Sequence, residues 1–145
     1  MTIEFSIPNG SMRICAEEFF KGAGMAKIRR MFKMLQESGI DDSRRQEILV
    51  WLRDQASKMH RCAEYWAERY VDGFTEYKES EVQYERLKSP CYAEFTQDKE
   101  ALKAAREKVA FAKREALASK SEYQQAKKMR DRYQKSIDIL VEVIK

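Results

Sequence analysis

The stretch LVWLRDQASKMHRCAEYWAERYVDGFTEYKESEVQYERL, residues 49–87, decides the fold. Apolar or small residues recur in it at alternating steps of three and four: Leu49, Leu52, Ala56, Met59, Ala63, Trp66, Tyr70, Gly73, Tyr77, Ser80, Tyr84 and Leu87. That spacing keeps one stripe on one side of an α-helix and forms the seam through which two helices interlock. Ser89-Pro90 ends the pattern, because proline disfavours helix in the residue before it and donates no hydrogen bond.

A second seam follows: Leu102, Ala105, Val109, Ala112, Ala116, Ser119, Tyr123, Ala126, Arg130, Tyr133, Ile137, Leu140 and Ile144, with Thr96 as a candidate N-cap. Each seam is about 60 Å long at roughly 1.5 Å per residue. A short connection makes two such helices antiparallel neighbours. Matching large side chains with small ones folds the hairpin about residue 96, setting Tyr77 against Ala116, Ala63 against Arg130 and Leu52 against Leu140. Charges support this register less well: Glu85 meets Arg106 and Glu64 meets Lys127, but Lys78 meets Lys113 and Glu79 meets Glu115. Exposed charge pairs contribute less than buried layers, so packing sets the expected register.

Before the first seam, Ile3, Phe5 and Ile7 alternate with polar residues and lead to Asn9-Gly10, a pair suited to a two-residue hairpin turn. A turn there sets Ile7 opposite Met12, Phe5 opposite Ile14 and Ile3 opposite Ala16, giving one apolar face. Two strands are marginal alone, so that face must lie on a helix. From about Glu17 to Ser38 the spacing is helical, with Ile28, Met31, Phe32 and Leu35 as its stripe and Gly22 and Gly24 as points of break or kink. Gly39 reads as the stop. Asp41, Asp42 and Ser43 offer N-caps for the next helix, and Ser43 with Gln46 has capping-box spacing.

Near the base of the hairpin, Val50, Trp51, Tyr65, Met129, Ile139, Val141 and Val143 widen the apolar surface beyond what a two-helix seam covers. The N-terminal hairpin and helix are the expected cover. The predicted fold is therefore mainly α, an N-terminal β-hairpin and short helix packed on the base of a long antiparallel helical hairpin, a coiled coil. We expect one domain over 1–145, with residues 1–40 as the head and residues 41–90 and 96–145 as the two arms.

Composition narrows the function. The 145 residues carry a net charge of +4, and most of the excess lies in the last third. A weakly basic total neither demands nor excludes nucleic acid. No apolar run reaches the roughly 18 residues a membrane span needs, and the start lacks signal-peptide character, so the expected location is the cytoplasm. Three cysteines, Cys15, Cys62 and Cys91, are too few and too far apart for a disulfide framework, and they read as reduced, buried thiols.

Catalytic patterns are scarce. The single histidine, His60, shares a helical face with Glu64, but a di-metal bundle site places Glu three residues before His, where Ser57 stands. Lys21-Gly22-Ala23-Gly24 with Lys27 lacks the spacing of a phosphate loop and reads as a turn. Glu64, Glu68, Asp72 and Glu76 form an acidic stripe interrupted by Arg61, Arg69 and Lys78, the pattern of a solvated face. We therefore expect no enzyme activity, no metal and no cofactor.

The sequence does mark surfaces. Apolar residues outside the seams sort into one lateral patch of Val71, Phe74 and Leu117 and another of Val82 and Phe111, with Tyr92 and Phe95 at the tip of the hairpin. Apolar clusters on a narrow arm suit burial by another chain. Lys99, Arg106, Lys113, Lys120 and Lys127 recur every seventh residue and form a basic ridge toward phosphates or an acidic protein. The expectation is an interaction protein (an adaptor, assembly factor or small inhibitor) that forms a homodimer, with binding to the nucleic-acid backbone as the alternative.

Overall fold

The computed structural model describes residues 1–89 and 99–145. Two strands, β1 (Thr2–Ile7) and β2 (Gly10–Cys15), lead into α1 (Ala16–Gly22) and α2 (Met25–Glu37). The long helices α3 (Asp42–Lys88) and α4 (Lys99–Val143) follow and pack on each other as the helical hairpin that the two seams require. Contacts group the chain into two units: Met1–Arg61 with Ala126–Lys145, and Cys62–Gln125. The expected N-cap Thr96 and the thiol of Cys91 lie outside the described residues.

In the first unit the strands pair antiparallel with Ile3 opposite Ile14, Phe5 opposite Met12 and Ile7 opposite Gly10. This register is two residues from the one expected from a turn at Asn9-Gly10. Proline is the reason. With Asn9-Gly10 as the turn, Pro8 would flank it and owe the ladder an N–H it does not have. With Pro8-Asn9 as the turn, the fixed φ of proline suits the first central position. A two-residue shift keeps every side chain on its face. Ile3 and Phe5 are buried as expected, Ile14 is half-buried, and Met12 is exposed.

The helical stretch over 17–38 breaks beside Gly22 and Gly24, the expected points of break or kink, and forms two helices. Ala23 and Gly24 are extended between them, at φ −74°, ψ 141° and φ −70°, ψ 160°. α2 ends where Gly39, at φ 79°, takes a conformation that favours glycine. Gly39 N–H then donates to the Gln36 carbonyl and Ile40 N–H to the Leu35 carbonyl, closing a Schellman motif. The cap of α3 is Asp41, whose Oδ1 accepts the Arg44 N–H at 2.7 Å. Ser43 and Gln46 are exposed residues within α3, so the expected capping box does not form. Asp41 comes first and satisfies an open N–H two residues earlier, at Arg44.

The core of this unit joins β1 and the helices, with Ile3 and Phe5 from β1, Phe20 from α1, Phe32 from α2, Leu52 from α3, and Tyr133 and Leu140 from α4, and Ile14 of β2 borders it. Phe20 lies 6.0 Å from Phe32 and 5.7 Å from Trp51 between ring centroids, and Trp51 meets Tyr133 edge-on at 6.1 Å. Such pairs add specificity to the apolar area they remove from water. Trp51, Met129, Ile139 and Val143 join or border this core, whereas Val50 and Val141 stay exposed, so the N-terminal elements cover less of the base than expected.

Polar contacts fasten the same elements. Arg132 of α4 donates to the Phe20 carbonyl at 2.7 Å and to the Ala23 carbonyl, satisfying backbone oxygens where α1 ends. Arg45 donates to the Ile144 carbonyl at 2.7 Å, and Arg44 to the Thr2 carbonyl. Arg29 of α2 holds Glu142 of α4 through two bonds of 2.9 and 3.2 Å, and this hydrogen bonding lowers the carboxyl pKa of Glu142. Cys15 is exposed, contrary to the expected filler role, with its Sγ 3.2 Å from Glu17 Oε2. Cys62, in the second unit, is half-buried.

In the second unit, α3 and α4 approach closely at Gly73 and Ala116. A Cβ built on Gly73 would lie 3.4 Å from Ala116 Cα. Gly73, one seam step before Tyr77, thus takes the place against Ala116 that volume matching gives to Tyr77. Small against small brings the backbones together, an effect that matching large with small leaves out. Ser80, Ala112 and Ser119 are buried along the same seam, and Ser80 Oγ donates to the Tyr77 carbonyl at 2.9 Å.

Candidate interaction surfaces

The second unit presents apolar side chains that its seam does not use. Val71, Phe74, Val82, Phe111 and Leu117 are between 43% and 61% exposed, well above what a core position allows. At 100° per residue, Val71 and Val82 point in nearly the same direction from α3, and Phe74 lies about 60° away. Phe74 and Val82 line one open depression of about 510 Å³ together with Thr75, Lys78, Glu79 and Gln83. Val82 therefore belongs to the Val71 and Phe74 face and does not sort with Phe111. It stands two residues from each of its seam neighbours Ser80 and Tyr84, which turns it directly outward.

Phe111 and Leu117 lie on α4, six residues and so about 120° apart, on different faces. Tyr92 and Phe95, expected at the tip, lie outside the described residues.

Aromatic rings extend the α3 surface. Tyr70, Phe74 and Tyr77 follow one another at centroid distances of 6.1 and 6.2 Å. Lys78 Nζ sits 5.4 Å from the Phe74 ring centre and 5.2 Å from that of Tyr77, where the ring quadrupole attracts a cation. A hydrogen bond to Glu81, with burial adding to it, raises the Tyr77 phenol pKa. One turn earlier Arg69 covers Tyr65 and Trp66 and donates to the Tyr65 hydroxyl at 3.1 Å. Motif reading did not single out this alternation of rings and cations, although the i, i+4 spacing of Tyr70 with Phe74 and of Phe74 with Lys78 was there to find it.

The basic residues are placed as their spacing requires. Lys99, Arg106, Lys113 and Lys120 are exposed on α4 in the second unit, and Lys127, also exposed, belongs to the first. None of the five forms an ion pair among the described residues. Glu85, expected opposite Arg106, instead pairs with Lys88 at 3.9 Å, and Lys78 pairs with Glu81 at 3.7 Å. Partners within one helix are nearer than partners across the seam.

No group of three or more His, Cys, Asp or Glu side chains suited to a metal ion occurs among the described residues. None of their helices is long and apolar enough to cross a membrane. No family model, curated protein or solved structure matches this chain.

Proposed function

We propose that this protein is a non-enzymatic interaction module, an adaptor, assembly factor or small inhibitor, whose two-helix unit is covered by another protein chain. The observation that carries this reading is the exposed face of α3, where Val71, Phe74 and Val82 share one side of the helix beside the Tyr70 and Tyr77 rings. Exposed apolar clusters of this kind gain free energy when a partner removes them from water, and aromatic side chains are frequent anchors of such contacts. The free thiols of Cys15 and Cys62 suit the reducing cytoplasm, where we place the activity.

The first occupant is a second copy of the chain. A two-helix unit with Gly, Ala and Ser in its seam buries little apolar area, and pairing α3 faces about a two-fold axis makes a four-helix arrangement that buries more. Sedimentation velocity at tens of micromolar tests this: wild type sediments as a dimer and Phe74→Glu as a monomer. A monomeric wild type refutes the dimer. For a different partner, affinity capture from source lysate with wild type and with Val71→Glu/Val82→Glu decides the broader reading. Recovery of the same proteins by both forms contradicts it.

A second reading rests on Lys99, Arg106, Lys113 and Lys120, spaced about 10.5 Å along α4 and unpaired among the described residues. Such a ridge suits a nucleic-acid backbone, with affinity that falls steeply as salt rises. Fluorescence anisotropy with a generic duplex at low salt measures it, and Lys113→Glu/Lys120→Glu removes the signal. No binding at low salt eliminates this reading.

A further inference from the structure

The surface of the first unit carries an open groove of about 540 Å³ that the interaction reading does not use. Its α3 wall carries Arg53, Ser57, His60 and Arg61, and its α4 wall carries Arg130 and Gln134. The volume is in the range of small-molecule sites. Ala56 and Ile137 add apolar lining, and none of the described lining residues is acidic. By contrast, the depression beside Phe74 includes Glu79 in its wall.

The guanidinium groups differ in how they are held. Arg130 donates to Asp131 Oδ1 at 3.1 and 3.2 Å and to His60 Nδ1 at 3.3 Å, which fixes it at the wall. Arg53 and Arg61 form no ion pair among the described residues, so their charge is available to a ligand. They stand eight residues apart, about 12 Å along the helix, with Ser57 midway. Cations at the two ends of a groove, with hydroxyl and amide donors between them, suit an anion whose charges run in series. Guanidinium forks match phosphoryl oxygens in geometry and charge.

We propose that this groove binds a linear oligophosphate, with Arg53 and Arg61 holding its ends and Ser57 and Gln134 donating along its length. Such a chain comes either as free polyphosphate or as the phosphate tail of a nucleotide. Tripolyphosphate and ATP, both without added metal, separate these sources: equal affinity means that the phosphates alone are read, and tighter ATP binding means that the apolar lining holds the nucleoside.

Isothermal titration of the full chain with sodium tripolyphosphate at low ionic strength tests the site. Wild type should give saturable one-site binding, Arg53→Ala/Arg61→Ala should weaken it tenfold or more, and Lys108→Ala/Arg114→Ala, which removes two exposed cations of α4 outside the groove, should leave it unchanged. His60 is the chain's single histidine, so its ring proton NMR signal reports on the groove directly. That signal should shift saturably as tripolyphosphate is added to wild type, a result that stands even if the arginine variant fails to fold. An unmoved His60 signal, equal losses in both double variants, or citrate binding as tightly as tripolyphosphate would overturn the proposal.

Discussion

Gly73 of α3 lies directly against Ala116 of α4, so close that a Cβ on Gly73 would be 3.4 Å from Ala116 Cα. That distance is an ordinary contact for a methyl group, and a glycine inside a helix costs about 1 kcal/mol relative to alanine. Gly73→Ala should therefore raise stability by up to about 1 kcal/mol in urea unfolding. Gly73→Leu has no room and should destabilise by about 1–3 kcal/mol. Equal stability of the leucine variant and wild type would show that the helices do not meet at this pair.

Arg132 joins residues far apart in sequence by donating to the Phe20 and Ala23 carbonyls. Arg132→Ala leaves both oxygens without this donor and should cost about 2 kcal/mol. Arg132→Lys recovers only part of that loss, because one ammonium cannot reproduce the planar fork. Chemical denaturation of the three proteins checks the order wild type, lysine, alanine.

Tyr133 is 2% exposed, and its burial raises the pKa of its phenol, with the charge of Glu17 adding to the effect and that of Arg132 opposing it. The sign follows from proton linkage. Above an ordinary tyrosine pKa of about 10, the unfolded chain gives up a proton that the folded chain retains, so stability present below that pH is lost as pH rises further. Absorbance titration should show one tyrosine ionising late, together with loss of helical circular dichroism, and Tyr133→Phe should remove that phase. Ionisation of every tyrosine before any helix is lost would contradict it.

Much of this architecture was legible in the sequence because it rests on periodicity and punctuation. The three-and-four seams mark α3 and α4, Gly39 marks the end of α2, and an aspartate in the 41–43 run caps α3. What escaped depends on competition between alternatives. Asn9-Gly10 is a good turn pair until the missing N–H of Pro8 is counted, and volume matching at Ala116 favours Tyr77 until backbone approach at Gly73 is included. The Arg132 clasp leaves no pattern at all, since its partners are backbone carbonyls more than a hundred residues away. Among the surface residues, the seam spacing showed that Val71, Phe74 and Leu117 lie outside the seam. Only the helical geometry moved Val82 onto the face of Phe74 and away from Phe111.

The central claim is that the Phe74 face of α3 is buried by another protein chain, and photo-crosslinking from that position tests it most directly. With p-benzoylphenylalanine at position 74, irradiation in the source cell should give a discrete adduct to a protein, either a second copy or a different chain. The same group at the exposed Lys103 position of α4 should not give it. An identical adduct pattern from both positions, or no protein adduct from position 74, would contradict the account.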